Sequence, residues 1–196
     1  MSTQPKSFLT PEQYLEIERQ AGTKSEYWQG VMFAMAGASR EHNVLVTHLV
    51  STLDQQLRKR PCEVYSNDMR VWVPATGLYT YPDVVAVCGD PRLTDDHADT
   101  LVNPTFLAEV LSPTTEAYDR GRKFEHYRNI ETLAAYLLVS SDRGHAELFL
   151  RQPDGHWLLT EATGLEAVLE LPPIGCRLAL RDLYEKLDLE AVTSDK

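Results

Sequence analysis

Three short segments of this chain consist almost wholly of apolar and aromatic residues, and they restrict its fold more than any other feature. They are residues 81–88, 105–111 and 134–140, and their content of Val, Leu and aromatic residues is typical of β-strands. In Phe106–Leu111 both the odd and the even positions are mostly apolar, which indicates a strand buried on both faces. A sheet built from such strands needs a covering layer on each side.

Helices that could form these layers are predicted from capping signals and periodicity. The sequence TPEQ at residues 10–13 has the form of a capping box with proline at the first helical position, so we expect a helix to about residue 20. Ser39 is a good N-cap for a long helix, because apolar residues then recur at three- and four-residue spacing until Pro61 ends the pattern. Residues 119–129 and about 180–187 are also predicted to be helical.

The remaining segments are predicted strands and loops. A strand pair around Gly30 is expected in residues 26–35, a strand in residues 63–74, and a hairpin at residues 146–151 and 156–161, with a polar loop at residues 90–103. The order of helix, several strands, crossover helix, strand and hairpin predicts an α/β fold with a mixed central β-sheet flanked by α-helices.

Length and composition favour one soluble domain. At 196 residues we expect a single unit over residues 1–196, with an ordered core of about residues 8–190. No apolar run reaches the length of a transmembrane helix, and residues 1–7 lack the apolar stretch of a signal peptide. These features predict a cytoplasmic protein that does not bind membranes.

The charge and the cysteines limit the kinds of site. The formal net charge is −10, whereas proteins that bind nucleic acid by neutralising phosphates are usually basic, so any DNA binding must be local or assisted by metal ions. The three cysteines, Cys62, Cys88 and Cys176, are widely spaced and show no zinc-site spacing. We therefore expect neither a disulfide framework nor a structural zinc.

Two carboxylates stand in or beside the apolar strands, where an ionised group is costly. Asp83 precedes the run Val84–Cys88, and Glu109 lies inside Phe106–Leu111. Each must be compensated by a cation, a metal or several hydrogen bonds. The ordinary alternative is that Asp83 caps a turn after Pro82 and that Glu109 pairs with an arginine. If the two strands are neighbours, however, both acids can offer oxygen ligands to a hard cation such as Mg²⁺.

A lysine follows in the predicted crossover helix. Asp119, Lys123 and Tyr127 are spaced four residues apart, which places them on one helix face. Lys123 would then lie between an acid and a phenol. The alternative interpretation is a solvated helix with a surface ion pair.

The ordered set of these motifs resembles a known family. Pro82-Asp83, the segment AEVLSPTT at residues 108–115, and then Asp119, Lys123 and Tyr127 are similar to the motif string of the Uma-type family of predicted restriction endonucleases, in the PD-(D/E)XK nuclease superfamily. The likeness extends over most of the chain. It implies a restriction-endonuclease-like fold in which the catalytic lysine has moved from the strand to the following helix, since Leu111 stands two residues after Glu109.

The resemblance also implies roles for residues outside these motifs. Glu26 and Gly30 match the Glu-x-x-x-Gly strand of the family, and His42 matches a position at the start of its long helix, although His42 could equally be a core histidine. One departure concerns the strand after the crossover helix, which often ends in Asp in the family but ends in Ser140 here. That difference leaves the motif positions intact.

Together these observations predict a Mg²⁺- or Mn²⁺-dependent DNA endonuclease. Asp83 and Glu109 would bind the metal, Lys123, Glu26 and His42 would act in catalysis, and Arg120, Arg122 and Tyr127 would contact the substrate. A homodimer would suit cleavage of both strands of a duplex. Two alternatives stay open: a catalytically silent module that uses the nuclease fold for nucleic-acid binding or assembly, and a metal-dependent phosphoesterase acting on small nucleotides.

Overall fold

The computed structural model describes residues 8–35 and 37–189. In this part of the chain the strands are β1 (Ser25–Trp28), β2 (Val31–Ala34), β3 (Cys62–Ser66), β4 (Arg70–Val73), β5 (Leu78–Thr80), β6 (Val84–Cys88), β7 (Thr100–Leu101), β8 (Phe106–Leu111), β9 (Ala135–Ser140), β10 (His145–Arg151), β11 (Trp157–Thr163), β12 (Val168–Leu171) and β13 (Cys176–Ala179). The α-helices are α1 (Pro11–Gln20), α2 (Arg40–Leu57), α3 (Glu116–Tyr118), α4 (Phe124–Tyr127) and α5 (Leu180–Leu183). A π-helical turn, Asp119–Lys123, joins α3 to α4, and a 3₁₀ turn, Pro172–Ile174, precedes β13.

The three apolar segments provide adjacent strands of a six-stranded mixed sheet. Its order is β11-β10-β9-β8-β6-β3, in which β8 and β9 are parallel and the other pairs are antiparallel. The segment from α3 to α4 connects β8 to β9, as a crossover between parallel strands requires. The predicted α/β fold with a mixed sheet is confirmed.

Alternate residues of the central strands enter two separate cores. On one face, Ala108 and Val110 of β8 pack with Leu45, Leu49 and Leu53 of α2. On the other face, the odd-numbered residues of β8 and β6 pack with α4 and with β4 and β5. Burial of β8 on both faces follows from these two layers, and it explains why the strand is apolar throughout except at Glu109.

The second layer on that face is a five-stranded sheet of order β2-β1-β5-β4-β7. Its outer side is covered by α1 through a cluster of three tyrosines, Tyr14, Tyr27 and Tyr79. Gly30 turns the β1–β2 hairpin at a φ of 85°, a conformation that disfavours a side chain, and Phe8 lies where a Cβ would stand.

Most of the local predictions are confirmed. The capping box of Thr10 and Gln13 forms at the start of α1, and Ser39 caps α2. The strand predicted for residues 63–74 is wrong as a single element, because a turn after Ser66 separates β3 from β4 and the two strands join different sheets. The short strands β12 and β13 were not predicted, since each has only four residues.

No disulfide framework was expected from the cysteines, but the structure contains one disulfide. Cys62 on β3 and Cys88 on β6 are direct partners across an antiparallel pair, and their sulfur atoms are bonded. Cys176 is a buried free thiol. A separation of 26 residues does not reveal this pairing, because it depends on the register of two strands in the folded sheet. In the part of the chain that the structure describes, no helix is both long and apolar enough to cross a bilayer.

Candidate functional site

Asp83 and Glu109 are neighbours at one edge of the β6–β8 pair. Asp83 immediately precedes β6, and its backbone N–H lies 3.4 Å from Glu109 Oε2. The Asp83 carboxylate accepts a hydrogen bond from the backbone N–H of Val110 at 2.8 Å, through Oδ2. The two predicted metal ligands are therefore brought together by the antiparallel register of their strands.

Lys123 reaches the same point from the crossover segment. Its ammonium nitrogen lies 2.8 Å from Glu109 Oε1, 3.4 Å from Asp119 Oδ1 and 3.6 Å from Glu26 Oε1. The Lys123 side chain is only 6% exposed, so these contacts are shielded from water. We call the five residues Glu26, Asp83, Glu109, Asp119 and Lys123 the acid–lysine cluster.

The π-helical turn places Lys123 over the sheet. Such turns are rare in proteins as a whole, and those that occur are often found at functional sites. Asp119 begins this turn and Lys123 ends it, with both side chains directed inward. The hydroxyl of Tyr127, one turn further on, donates to Glu109 Oε1 at 2.8 Å, and that of Tyr136 donates to the backbone carbonyl of Asp119 at 3.1 Å. The predicted common face of Asp119, Lys123 and Tyr127 is thus observed, although the segment is not a regular α-helix.

Glu26 enters the cluster from the other sheet. It lies on β1, and its carboxylate accepts hydrogen bonds from the hydroxyls of Thr80 on β5 and Tyr118 on α3, the latter at 3.3 Å. Neither hydroxyl residue was singled out in the sequence. A single threonine or tyrosine beside a strand carries no distinctive pattern, so only the packing of the two sheets reveals these contacts.

His42 contacts the exposed side of the cluster. Its Nε2 lies 3.0 Å from Asp83 Oδ2, and Ser39 caps the helix turn that carries it. The other ring nitrogen, Nδ1, is buried without a hydrogen-bond partner among the described residues. Both side chains keep some exposure, 15% for His42 and 13% for Asp83, so this side of the cluster is accessible to solvent.

Acidic side chains outnumber basic ones in this buried cluster. Desolvation raises the pKa of Glu109 well above its ordinary value despite the opposing effect of Lys123, and desolvation likewise raises the pKa of Asp119. Burial alone would lower the pKa of Lys123, but Glu109, Glu26 and Asp119 outweigh it and raise that pKa, so the ammonium stays charged. The carboxylates of Glu26, Glu109 and Asp119 thus share one cation, with Asp83 nearby, and the cluster favours a further positive charge.

The donor atoms suit a hard divalent cation. The hydrogen bonds of Asp83 use Oδ2, which leaves Oδ1, and the contact to Glu109 Oε2 is long. One oxygen of each carboxylate is therefore available, and oxygen donors of this kind are those that Mg²⁺ and Mn²⁺ prefer. Asp83 and Glu109 are residues that could hold such an ion.

The predicted substrate-contact residues lie in different surroundings. Arg120 donates to Glu116 and to Glu147. The exposed Arg122 places its guanidinium 4.1 Å from the ring centroid of Trp28. Tyr127 is completely buried, and burial raises the pKa of its hydroxyl, which donates to Glu109. Of the three, Arg122 has the exposure that contact with a macromolecule requires.

Comparisons with known proteins agree with the resemblance found in the sequence. The Uma2 family model, described as "Putative restriction endonuclease", matches residues 11–181. Two uncharacterized proteins of Synechocystis sp. (strain ATCC 27184 / PCC 6803 / Kazusa), sll1609 and slr1290, are each 38% identical to this chain. The first similarity spans 83% of this chain and 92% of sll1609, and the second spans 91% and 93%.

A solved structure is similar in fold. It is described as "a putative nuclease belonging to DUF820 from Anabaena variabilis", and it matches with a TM-score of 0.73 at 16% sequence identity. The match covers 90% of this chain and 97% of the other. At this identity the likeness shows the arrangement of helices and strands.

Proposed function

The chain belongs to the Uma2 family, and on this basis we propose that it is a metal-dependent DNA endonuclease that hydrolyses phosphodiester bonds. The observation that carries the proposal is that Glu109 lies beside the backbone of Asp83 at the sheet edge and 2.8 Å from the ammonium of Lys123. Buried acids in a structural role would need only their hydrogen bonds and one cation. Three carboxylates on a single ammonium, with Asp83 beside them, are instead an excess of acidic groups that favours a site for a divalent ion.

Each residue of the cluster has a role that its contacts support. Asp83 and Glu109 would hold Mg²⁺ or Mn²⁺, which when bound would supply Lewis-acid polarisation of the scissile phosphate and lower the pKa of water. Lys123 remains an ammonium because the surrounding carboxylates raise its pKa, so it stabilises negative charge on phosphate or hydroxide and does not act as a base. His42 orients the Asp83 carboxylate through its 3.0 Å contact.

Glu26 and Tyr127 position the charged groups. Glu26 lies 3.6 Å from Lys123 and is itself held by Thr80 and Tyr118, so it keeps the ammonium over the sheet edge and would belong to the outer surroundings of a bound metal. Tyr127 donates to Glu109 Oε1 and thereby directs Oε2 toward Asp83.

DNA is the substrate that the family description favours, although the net charge of −10 opposes binding to polyanions. Positively charged side chains must therefore contact the DNA phosphates locally, next to the cluster. Arg122 is exposed and stacked on Trp28, which lies two residues from Glu26 on β1, so phosphate contacts next to the cluster are available. Binding through few cationic contacts should weaken as salt is raised.

The test is cleavage of supercoiled plasmid with Mg²⁺ or Mn²⁺, compared with EDTA. Asp83→Asn, Glu109→Gln and Lys123→Met should each lower the rate by at least about 100-fold, because each removes a charge at the reacting centre. Glu125→Gln, an exposed site on the same crossover segment, is the matched control and should retain activity. Wild-type rates in all three cluster variants would exclude the mechanism.

The alternatives give different results in the same assay. A catalytically silent module would bind DNA in a salt-dependent manner without cutting it. A phosphoesterase for small nucleotides would cleave a model diester but leave plasmid intact. The cavity of about 510 Å³ beside α1 contains no residue of the acid–lysine cluster, so it gives that alternative no support. Its lining residues are Glu12, Leu15, Glu16, Arg19, Gln20, Asp95 and His97. A homodimer is part of the proposal, and linear product formed without a nicked intermediate would support it.

A further inference from the structure

A second group of metal-ligand side chains lies on the β10–β11 hairpin, apart from the acid–lysine cluster. His145 and Glu147 are on β10, and Glu161 is the direct cross-strand partner of Glu147 on β11. We call these three residues the hairpin cluster. His145 Nε2 lies 3.1 Å from Glu147 Oε1 and 3.7 Å from Glu161 Oε1. In the described part of the chain no other group of three or more His, Cys, Asp or Glu residues has its ligand atoms so close together.

The sheet register separates the two clusters. Glu109, Leu138 and Glu147 are aligned across β8, β9 and β10, so Glu147 lies two strands from Glu109. Neighbouring strands are about 4.8 Å apart, which puts about 10 Å between the backbones at these positions. The hairpin cluster shares no residue with the acid–lysine cluster, so metal binding at the hairpin does not require the proposed nuclease activity.

Both buried side chains of the hairpin cluster are oriented by outer partners. His145 Nδ1 lies 3.1 Å from the hydroxyl of Thr163, its cross-strand partner, which leaves Nε2 directed toward the carboxylates. Arg120 pairs with Glu147 through Oε2 and leaves Oε1 facing His145. Metal-bound histidines and carboxylates typically have such outer hydrogen bonds, which fix the ring and the carboxylate for ligation.

The charges also favour a cation between these side chains. Two carboxylates directly opposite each other on neighbouring strands repel. Arg120 compensates this repulsion from the side of Glu147, but it also pairs with Glu116, so one guanidinium is shared by two carboxylates and Glu161 has no arginine of its own among the described contacts. The Glu161 side chain is 58% exposed, which leaves an entry path and room for water ligands.

From this geometry we propose that His145, Glu147 and Glu161 bind a divalent transition-metal ion, with Zn²⁺ as the representative species. The bonds that Zn²⁺ makes to imidazole nitrogen and carboxylate oxygen are about 2.0–2.2 Å, so its ligand atoms lie about 3–3.5 Å apart. The observed separations of 3.1 and 3.7 Å require only small movements. One imidazole and two carboxylates favour transition metals over Mg²⁺ and Ca²⁺, which prefer oxygen donors alone.

The experiment measures Zn²⁺ binding to the full chain, purified with its disulfide intact and freed of metal with EDTA, by competition with a chromophoric chelator. Glu161→Gln should remove the tight Zn²⁺ site, and because the residue is exposed the fold should tolerate it. Glu170→Gln, an exposed site on β12, is the matched control and should bind as the wild type does. Thr163→Val, which removes the outer partner of His145, should weaken binding by about 10–100-fold.

X-ray absorption of the complex with one equivalent of Zn²⁺ identifies the ligands. One imidazole together with oxygen scatterers at about 2.0–2.2 Å supports the proposal. Zn²⁺ affinity that is unchanged by Glu161→Gln, or binding that is lost only with Asp83→Asn, would overturn it. Sulfur scatterers at about 2.3 Å would overturn it as well, because they would assign the ion to cysteine.

Discussion

Replacing Lys123 by methionine removes the one ammonium in the acid–lysine cluster while nearly preserving side-chain length. Lys123 is 6% exposed and lies within 4 Å of Glu109, Asp119 and Glu26. Its loss leaves Glu109, which is 4% exposed, with only its hydrogen bonds. Breaking a buried ion pair by removing one partner costs about 3–5 kcal/mol, so Lys123→Met should lower the free energy of unfolding by that amount.

The size of the specific coupling follows from the contact distance. At an effective dielectric constant of about 20, unit charges 2.8 Å apart attract by about 6 kcal/mol, and desolvation of both groups offsets much of this. Glu109→Gln removes a carboxylate whose pKa is raised by burial, and Lys123 keeps Asp119 and Glu26 as partners. This substitution should therefore lower the free energy of unfolding by only about 1 kcal/mol. The double variant should then be more stable than additivity predicts by about 2–3 kcal/mol.

Denaturation by urea in the presence of EDTA gives the four unfolding free energies of this cycle at one pH. EDTA keeps metal ions from contributing to the wild type alone. If the two single substitutions add within about 0.5 kcal/mol, Lys123 and Glu109 do not interact as the structure places them, and the reasoning fails.

Three further outcomes concern the fold. Cys62→Ala combined with Cys88→Ala should lower the unfolding free energy by about 3.5 kcal/mol, since the disulfide closes a loop of 26 residues. Three free thiols in the denatured, unreduced chain would contradict the disulfide. Thr10→Ala removes the capping-box acceptor and should cost about 1 kcal/mol in urea denaturation. Hydrogen bonds from Arg19 hold the pKa of Asp99 below its usual range. The stability that this pKa shift gives is present above about pH 4, the pKa of the unfolded state, and is lost as the pH falls toward the folded value. Asp99→Asn should therefore be less stable than the wild type at pH 7 but not at low pH. The exposed Asp96→Asn is the control.

The local elements were predictable because their signals are local. A capping box, a 3.6-residue repeat and an unbroken apolar run each act through residues close in sequence, so α1, α2, β6, β8 and β9 follow from the pattern. The helical prediction for residues 119–129 was less accurate, because residues 119–123 form a π-helical turn and not a regular α-helix. No residue propensity indicates such a turn, in which the side chains of Asp119 and Lys123 are buried by tertiary contacts.

The candidate site was predictable in its members but not in its geometry. Asp83, Glu109 and Lys123 were selected because ionisable groups next to apolar strands need compensation, and the ordered motifs resembled a known family. That Thr80 and Tyr118 hold Glu26, or that Arg120 pairs with Glu147, depends on the packing of a second sheet and a crossover segment. Such contacts join residues that are far apart in sequence, and no local pattern encodes them.

The amino-acid order by itself determined the α/β class, the main helices and strands, and the identity of the acids and the lysine, because burial and periodicity constrain each segment independently. Strand register decided the rest. It joined Cys62 to Cys88, set Asp83 beside Glu109, and placed Glu161 opposite Glu147. A shift of one residue in any of these pairings would reverse the faces of a strand, so these neighbours exist only in the assembled sheet.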